Sequence, residues 1–335
     1  MSEIKIVTEL ADVKGEDDTS TRSDFKVVAI VVIYHPEWQA LKKLIDVLKH
    51  EVDQVYVFDN TPIKEAGKVA RLPSGNFVRY FSNEGNLGLA TAQNQGIKLA
   101  AAAGATHVFL LDQDSFLPRD TVSKLLESES LLIRSGAKVA AIGPVFVDRK
   151  SGVKAPRIKK TWYGTRKEEM PSEGAPESCA YIISSGSLIR TSVFNEVGSM
   201  RDELFIDWVD IEWCERAALK GYVAYLVPGL YMDHSIGDET RVLLGRRINL
   251  HSDTRNYFIV RNAVYLGSRA GVRLAARIQM LKRIPYYVIC YSWCSASRPR
   301  ALKLMLFGIY DGCTGRMGAP SHLQLPVVPV SVKKQ

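Results

Sequence analysis

Two acidic residues, Asp112 and Asp114, follow the apolar segment HVFLL at the point where a buried strand would end. Side chains two apart in an extended segment point the same way, so both carboxylates should face one pocket. Facing carboxylates repel each other unless a cation lies between them. Mg²⁺ or Mn²⁺ binds such oxygens and bridges them to diphosphate oxygens. The pair therefore predicts a divalent-metal site, and the alternative is a solvated acidic turn that caps the next helix.

A second acidic segment, residues 207–212, opens a predicted helix. At the N-terminus of that helix, the dipole would keep Asp210 ionised, which suits a general base at neutral pH. Glu212 lies two residues further on, and positions i and i+2 of a helix do not share a face. We therefore expect Glu212 to brace Arg216, one turn away. A plain capping role for Asp210 is the alternative.

Two further segments could complete such a site. His234 follows a strand-like segment, and one imidazole nitrogen could be a third metal ligand, although a lone histidine is also common as a structural residue. The segment Ser184–Ser187 contains Gly186, where the backbone could approach a ligand closely or form a bulge.

Alternating strand and helix patterns indicate the elements that position these residues. The run Phe25–Ile33 is uninterrupted and rich in β-branched residues, as expected of a strand buried on both faces. The β-α-β order predicts an α/β fold with a mostly parallel sheet and helices on both faces. Residues 152–176 are polar and predict a loop. Further strands are predicted at 54–58, 77–81, 106–111, 139–147, 181–189 and 222–227, and helices at 36–50, 89–103, 118–134, 210–220, 255–268 and within 272–309.

Polar residues follow four of the predicted strands. In an open parallel sheet, ligands bind at the carboxyl ends of the strands, so these residues should meet at one edge. Four strand ends with polar residues favour a nucleotide-type ligand over a chance occurrence of turn-forming residues. The segments concerned are Tyr34–Pro36, Asp59–Asn60, Asn83–Gly88 and Asp112–Asp114.

Charge is unevenly distributed along the 335 residues, whose net charge is +8. From Arg241 onward the charge is +14, and the preceding 240 residues carry −6. A basic end predicts an anionic partner such as nucleic acid, phospholipid or phosphate. We divide the chain into a mobile acidic tail (1–24), a nucleotide-binding and catalytic domain (25–240), a basic helical region (241–317) and an extended tail (318–335).

Other features of the composition bear on the compartment. The five cysteines include no pair of CxxC motifs, which is typical of reduced thiols in a cytosolic protein. No signal peptide is visible at the N-terminus, and no apolar run approaches the ~18–20 residues of a membrane span.

The motifs together resemble those of family 2, GT-A-type glycosyltransferases, and within them the bacterial rhamnosyltransferases. The resemblance covers about residues 27–317. It rests on VIYHP at 32–36, FDNT at 58–61, NEGNLGLATAQNQGI at 83–97, LLDQDS at 110–115, SSGSLI at 184–189, FIDWVDIEWCER at 205–216, DHSIGD at 233–238 and RNYFIVRN at 255–262.

The resemblance implies a role for each matching residue. Asp210 matches the catalytic base, Asp114 the metal ligand with help from His234, and Asp112 the ribose-side residue. Many relatives carry an acidic residue just before the base, where this chain has Val209. Asp59 would bind the edge of the pyrimidine base, and the nucleotide would be lined by Tyr34, His35, Asn86, Gly88 and Asn94.

The resemblance further implies an inverting transfer of L-rhamnose from dTDP-β-L-rhamnose with Mg²⁺ or Mn²⁺. The acceptor would be a lipid-linked glycan of a cell-surface polysaccharide, at the inner membrane face, with the basic region on anionic lipid. Ordinary amphipathic packing of that region is the alternative. Nucleic acid is not expected, because the basic residues lie among apolar and aromatic segments without a recognised binding module.

Three other functions remain open at this point. Another nucleotide sugar could be the donor. A sugar nucleotidyltransferase would normally carry a glycine-rich basic loop where this chain has Tyr34–Pro36. A non-catalytic assembly factor on a transferase fold would have no need of Asp112, Asp114 and Asp210.

Overall fold

A computed structural model gives the fold of residues 25–62, 75–148, 152–234, 239–243, 246–269 and 271–320. For residues 234, 239–243 and 246–250, only the backbone is described. The predicted tail 1–24 lies outside the described residues, as does the extended tail beyond 320.

The described strands and helices follow the predicted alternation through residue 148. The strands are β1 Val27–Ile33, β2 Gln54–Asp59, β3 Val78–Ser82, β4 His107–Asp112, β5 Val139–Asp148, β6 Arg157–Thr161, β7 Gly164–Glu168, β8 Glu177–Cys179, β9 Ser187–Arg190, β10 Val223–His234, β11 Glu239–Leu243 and β12 Arg246–Leu250. The helices are α1 Trp38–Leu48, α2 Leu89–Ala102, α3 Thr121–Arg134, α4 Thr191–Val197, α5 Val209–Leu219, α6 Asp253–Ser268, α7 Leu274–Cys294 and α8 Arg298–Thr314.

One central sheet of eight strands has the order β3-β2-β1-β4-β9-β5-β10-β8. Strands β3, β2, β1 and β4 pair in parallel, as do β5 and β10, whereas β9 and β8 run antiparallel to their neighbours. The predicted mostly parallel α/β sheet is confirmed. The carboxyl ends of β1, β2 and β4 therefore lie side by side at one edge.

Both faces of the sheet are covered, which explains the continuous apolar run of β1. Val28 and Ile30 pack into the layer that contains α2, α4 and α5. Val31 and Ile33 pack into the opposite layer, formed by α1 and α3. A strand with two buried faces needs apolar residues at every position rather than at alternate ones.

Three segments differ from the sequence-based predictions. The predicted loop 152–176 contains the hairpin β6–β7, whose strands are too polar to be recognised by hydrophobic alternation. The predicted strand 181–189 is confined to Ser187–Arg190, because Gly186 has a φ of +80° and breaks the extended chain. A second hairpin, β11–β12, precedes the basic helices.

Helix α6 joins the basic region to the layer that carries α5. Its Ala263 and Leu266 belong to the same buried cluster as Trp208 and Trp213. Helices α7 and α8 pack on α6 and leave much of their outer surface exposed. Among the described helices, none has both the length and the apolar composition needed to cross a membrane.

Candidate active site

Hydrogen bonds from backbone N–H groups to side-chain oxygens hold the ends of β1, β2 and β4 together. The Tyr34 N–H donates to Gln113 Oε1 at 2.7 Å, and the His35 N–H donates to Thr61 Oγ1 at 2.9 Å. The Tyr34 and His35 rings pack edge to face with centroids 4.3 Å apart. His35 has a φ of +47°, a conformation that non-glycine residues rarely adopt. The structure thus brings both residues to the edge where the sequence predicted a nucleotide.

Asp59 lies at the end of β2 and is 1% exposed. One carboxylate oxygen accepts from the Thr61 N–H at 2.7 Å and the other from the Tyr80 hydroxyl at 2.5 Å. Its neighbour Asn60 donates to the Gly88 carbonyl at 3.1 Å. These bonds fix the turn after β2. The role of Asp59 toward a pyrimidine base stays a prediction.

Gly88 lets the start of α2 pack against the segment before Asp210. It has a φ of +87°, and a Cβ at this position would lie 2.7 Å from the Phe205 carbonyl oxygen. That carbonyl accepts from the Leu89 N–H at 2.7 Å, and Asn86 Oδ1 accepts from the Gly88 N–H at 3.0 Å. The first turn of α2 is therefore bound to the 205 loop.

Asn94 lies one turn further along α2, and its amide binds a different segment. The Nδ2 group donates to the Met200 carbonyl and to Asp202 Oδ1, both at 2.8 Å, and Oδ1 accepts from the Met200 N–H at 2.9 Å. The structure thus places Asn94 as a brace between α2 and residues 200–202. Its contact with a nucleotide stays a prediction.

Asp112 is the last residue of β4 and is half-buried, and Asp114 is exposed in the tight turn that follows. The Phe116 backbone bridges to Asp233, which brings the end of β10, and so the backbone of His234, alongside this turn. The His234 side chain is outside the described residues. Among the described side chains, no three potential ligands cluster as a metal site. Two carboxylates nevertheless fit Mg²⁺ or Mn²⁺, since such ions take one or two carboxylates plus substrate phosphates and water.

Ser184 and Ser185 join this turn to Asp210. Ser185 Oγ lies 2.7 Å from Ser115 Oγ and accepts from the Asp112 N–H at 3.3 Å. The Ser184 N–H donates to Asp210 Oδ2 at 3.2 Å. The sequence predicted a close approach or a bulge at this segment because of Gly186. In the structure its consecutive serines hold the turn after β4 beside Asp210, the predicted base.

Asp210 is the second residue of α5 and is half-buried. Its Oδ1 accepts from the Ile211 N–H at 2.8 Å. Burial raises the pKa of Asp210 to about 6, against the lowering effect of the N–H donors from Ile211 and Ser184, and the nearby charges of Asp207 and Asp112 raise the pKa further. The helix N-terminus was predicted to keep Asp210 ionised, but burial has the larger effect. A carboxylate with this pKa is ionised at pH 7 and a stronger base than an exposed one.

This pKa predicts the acid side of the pH profile. As the predicted general base, Asp210 would have to be deprotonated, so kcat/KM should be constant above about pH 7 and fall about tenfold for each pH unit below 6. Initial rates at subsaturating substrates between pH 5 and 8 measure this directly. A profile that stays flat down to pH 5 would contradict a base of raised pKa.

Glu212, two residues after Asp210, faces away from it. It is fully buried between Arg201 at 2.7 Å and Arg216 at 2.6 Å. The predicted brace to Arg216 is confirmed, and the expectation that Asp210 and Glu212 do not serve one reacting atom stays a prediction.

The backbone just before Asp210 is strained. Phe205, Asp207 and Trp208 have φ values of +67°, +60° and +65°. Such conformations cost about 1–3 kcal/mol each and persist where surrounding contacts hold them. Here the contacts come from α6, where Trp208 Nε1 donates to the Ile259 carbonyl at 3.0 Å.

Two polar residues of α6 complete this support. Arg255 forms an ion pair with Asp207, whose nearest atoms are 3.0 Å apart. Buried Asn262 Nδ2 donates to the carbonyls of Leu204, Ile206 and Asp207 at 2.9, 2.8 and 3.0 Å. Both residues belong to the motif RNYFIVRN, whose sequence alone indicates no role for them. Nothing in their local pattern shows that they contact a loop some fifty residues earlier.

Replacement of Asn262 by Ala should loosen this loop. Buried carbonyls that lose their donor cost about 1–3 kcal/mol, so we expect a lower Tm. We also expect kcat to fall more than the donor KM changes, because the loop positions Asp210 rather than the nucleotide. Steady-state kinetics at a temperature where the variant is folded separates the two effects.

Asn256→Ala is the matched control, because this buried residue of the same helix donates to the His251 carbonyl at 3.3 Å and not to the loop. An equal loss of kcat in both variants would show that the effect is one of general stability.

Comparison with known proteins identifies the family to which the chain belongs. A sequence profile of glycosyl transferase family 2 matches residues 29–198, just over half of the chain. The dTDP-rhamnosyl transferase RfbF of Shigella flexneri is 36% identical over 299 residues, which are 87% of this chain and 97% of that protein.

A solved structure shows the same fold at low sequence identity. The crystal structure of GalNAc-T7 with UDP, GalNAc and Mn²⁺ superposes with a TM-score of 0.52 at 14% identity, over 86% of this chain and 57% of that one. The mixed α/β sheet of this chain thus has the GT-A fold. The chain belongs to glycosyl transferase family 2 and is a glycosyltransferase.

Proposed function

We propose that this enzyme transfers L-rhamnose from dTDP-β-L-rhamnose to a glycan hydroxyl, with inversion at the anomeric carbon. The donor follows from the relative named as a dTDP-rhamnosyl transferase, which the chain matches over nearly its whole length. The observation that carries the reaction type is the position of Asp210. Asp210 Oδ2 accepts from the Ser184 N–H, and the Oγ of the next residue, Ser185, accepts from the Asp112 N–H. The charge of Asp112 also raises the pKa of Asp210. The proposed base therefore lies beside the turn proposed to hold the diphosphate.

The mechanism is a single displacement. Asp210 accepts the proton of the acceptor hydroxyl as that oxygen attacks the anomeric carbon. The bond from this carbon to the diphosphate oxygen breaks, and dTDP leaves from the opposite face. Asp114, with His234, would hold a divalent metal, which when bound neutralises charge on the leaving diphosphate, and Asp112 would lie on the ribose side of the nucleotide.

A screen of nucleotide sugars tests this function. Release of the nucleoside diphosphate and thermal shift would be measured for dTDP-rhamnose and for UDP- and GDP-sugars, each with Mg²⁺, Mn²⁺ or EDTA. We expect metal-dependent release that is fastest from dTDP-rhamnose. Preference for another sugar would overturn the donor assignment, and no turnover of any donor would favour the assembly-factor alternative.

The outer surface of α7 and α8 supports a location at anionic membrane. Ile289 is 67% and Trp293 59% exposed, and these helices expose other apolar side chains at helical spacing. Six basic residues lie on the same two helices, and one of them, Arg277, donates to the Gly267 carbonyl of α6. Apolar and basic residues together suit an interfacial helix on anionic lipid. The surface consists of Leu274, Ile278, Leu281, Tyr286, Ile289, Trp293, Leu302, Leu306, Phe307 and Tyr310, with Lys282, Arg283, Arg298, Arg300 and Lys303.

Ile289→Glu should weaken binding to anionic vesicles about tenfold or more. The change removes an apolar side chain that would insert into the bilayer and adds a negative charge that anionic lipid repels. Sedimentation with vesicles of phosphatidylglycerol and phosphatidylcholine measures it. Leu131→Glu is the matched control, since Leu131 is 52% exposed on α3 in the opposite layer. Equal binding of both variants would contradict the assignment of this surface.

A further inference from the structure

A small cavity lies beside Asp210, between α5 and the central sheet. Its volume of about 10 Å³ is close to the smallest that holds one water. Most of its wall is apolar and buried, and includes Ala141 of β5, Ile189 of β9 and Trp213 of α5. A water in such a cavity needs two or more polar partners. The lining side chains that carry oxygen, or sulfur as a thiol, are Ser184, Ser187, Asp210 and Cys214.

The Ser184 hydroxyl is buried and unpaired. Ser184 is 7% exposed, and its Oγ has no hydrogen-bond partner in the part of the chain that the structure describes. The backbone of the same residue is fully used. Its N–H donates to Asp210 Oδ2 at 3.2 Å, and its carbonyl accepts from the Ser187 N–H at 3.0 Å and from Ser187 Oγ at 2.8 Å. Buried hydroxyls are as a rule hydrogen-bonded to protein or to ordered water, so this one indicates a water in the cavity.

Asp210 is the strongest acceptor for such a water among the polar groups of the lining. Ser187 Oγ is already committed to the Ser184 carbonyl. Burial raises the pKa of Cys214 to about 12, so its thiol stays neutral and is a weak partner. An ionised carboxylate has about four acceptor sites, and the N–H groups of Ile211 and Ser184 occupy two of those of Asp210. Sites thus remain for the acceptor hydroxyl and for one water.

The charges near Asp210 do not favour its ionised form. Burial raises the pKa of Asp210, and the charges of Asp207 and Asp112 raise it further. Tyr181, three residues before Ser184, is uncharged at neutral pH, because burial raises its pKa to about 12. Within the described parts of the chain, no cation forms an ion pair with Asp210. Hydrogen-bond donors are therefore the groups that can keep this carboxylate ionised.

We propose that Ser184 is a positioning residue for Asp210, because its hydroxyl donates to one water in this cavity and that water donates to Asp210 Oδ2. The inference rests on the proposed function, since it takes Asp210 as the base. A hydrogen bond to the charged form of a carboxylate favours that form. The water would thus keep the base ionised in spite of its burial, and would hold one carboxylate oxygen while the other faces the acceptor.

The test is a titration that does not depend on turnover. The full chain is labelled with carbon-13 at its aspartate carboxyl groups and followed by NMR between pH 4 and 8 without nucleotide. The signal of Asp210 is identified by its loss in Asp210→Asn. Ser184→Ala removes the hydroxyl and keeps the backbone bond to Asp210. Ser187→Ala is the matched control, because it removes a buried hydroxyl of the same cavity that is committed to a carbonyl.

We expect Asp210 to titrate about one pH unit higher in Ser184→Ala than in the wild type, because a hydrogen bond to its charged form is lost. Ser187→Ala should titrate as the wild type. A crystal structure of the wild type should show one water bonded to Ser184 Oγ and Asp210 Oδ2. An unchanged titration in folded Ser184→Ala, an equal shift in both variants, or a dry cavity overturns the proposal. If Asp210→Asn keeps full turnover while Ser184→Ala shows the shift, the base assignment fails and the water site stands.

Discussion

Replacement of Asp210 by Asn is expected to lower sugar transfer by about 10²- to 10⁴-fold, the usual contribution of a general base. The amide keeps the shape of the side chain and still accepts from the Ile211 N–H, but it cannot take the proton of the acceptor hydroxyl. Turnover of dTDP-rhamnose with acceptor, measured with saturating substrates, gives the loss in kcat. Binding of dTDP should change by less than about twofold, because the nucleotide is held elsewhere.

Two controls make this result specific. The thermal midpoint of Asp210→Asn should not fall at pH 7.5. In the wild type, ionisation of the buried Asp210 carboxyl lowers the free energy of unfolding, and the raised pKa means that this loss is complete above about pH 6. The uncharged amide avoids this loss and gives up only the weak bond from the Ser184 N–H at 3.2 Å. Asp207→Asn tests the neighbouring carboxylate, which Arg255 already pairs. A variant at 207 that loses more turnover than the one at 210 would transfer the role of base to Asp207.

The central strands could be predicted because each has apolar residues at consecutive positions, which indicates burial on both faces. The apolar runs of β1 and β4 leave no exposed face, and the polar residues that follow them had to lie at the carboxyl edge. The hairpin β6–β7 could not be predicted in the same way. Its strand residues are mostly polar, and it is held by contacts such as Thr165 with Gln279, more than a hundred residues away.

The pKa of Asp210 likewise could not be predicted from the residues next to it in the sequence. Its position at a helix N-terminus is local, and the dipole argument correctly gives the direction of the N–H contribution to its pKa. The covering segment at Ser184 and the support from Asn262 on α6 come from other parts of the chain. Burial has the largest effect on the pKa of Asp210, so the sequence predicted which residue is the base candidate but not the pKa of its carboxyl group.

Replacement of Asp114 by Ala should abolish the part of donor binding that depends on a divalent metal. Asp114 is exposed at the turn after β4, so its loss leaves no cavity and should not lower the Tm. With Asp112 alone as the described carboxylate in the turn, the ion would lose a ligand and bind the diphosphate less well. We expect kcat/KM to fall by about 10²-fold or more, since metal contacts with a developing charge contribute several kcal/mol.

Titration of dTDP into the protein with Mg²⁺ and with EDTA separates this effect from a general loss of binding. The wild type should bind dTDP more tightly with the metal, whereas Asp114→Ala should bind equally in both and match the wild type in EDTA. Asp46→Ala, which removes an exposed carboxylate from α1, should behave as the wild type. If Asp114→Ala keeps the tighter binding with Mg²⁺, the ion is held without this residue. The turn after β4 would then act only as the acidic cap that its sequence also allows.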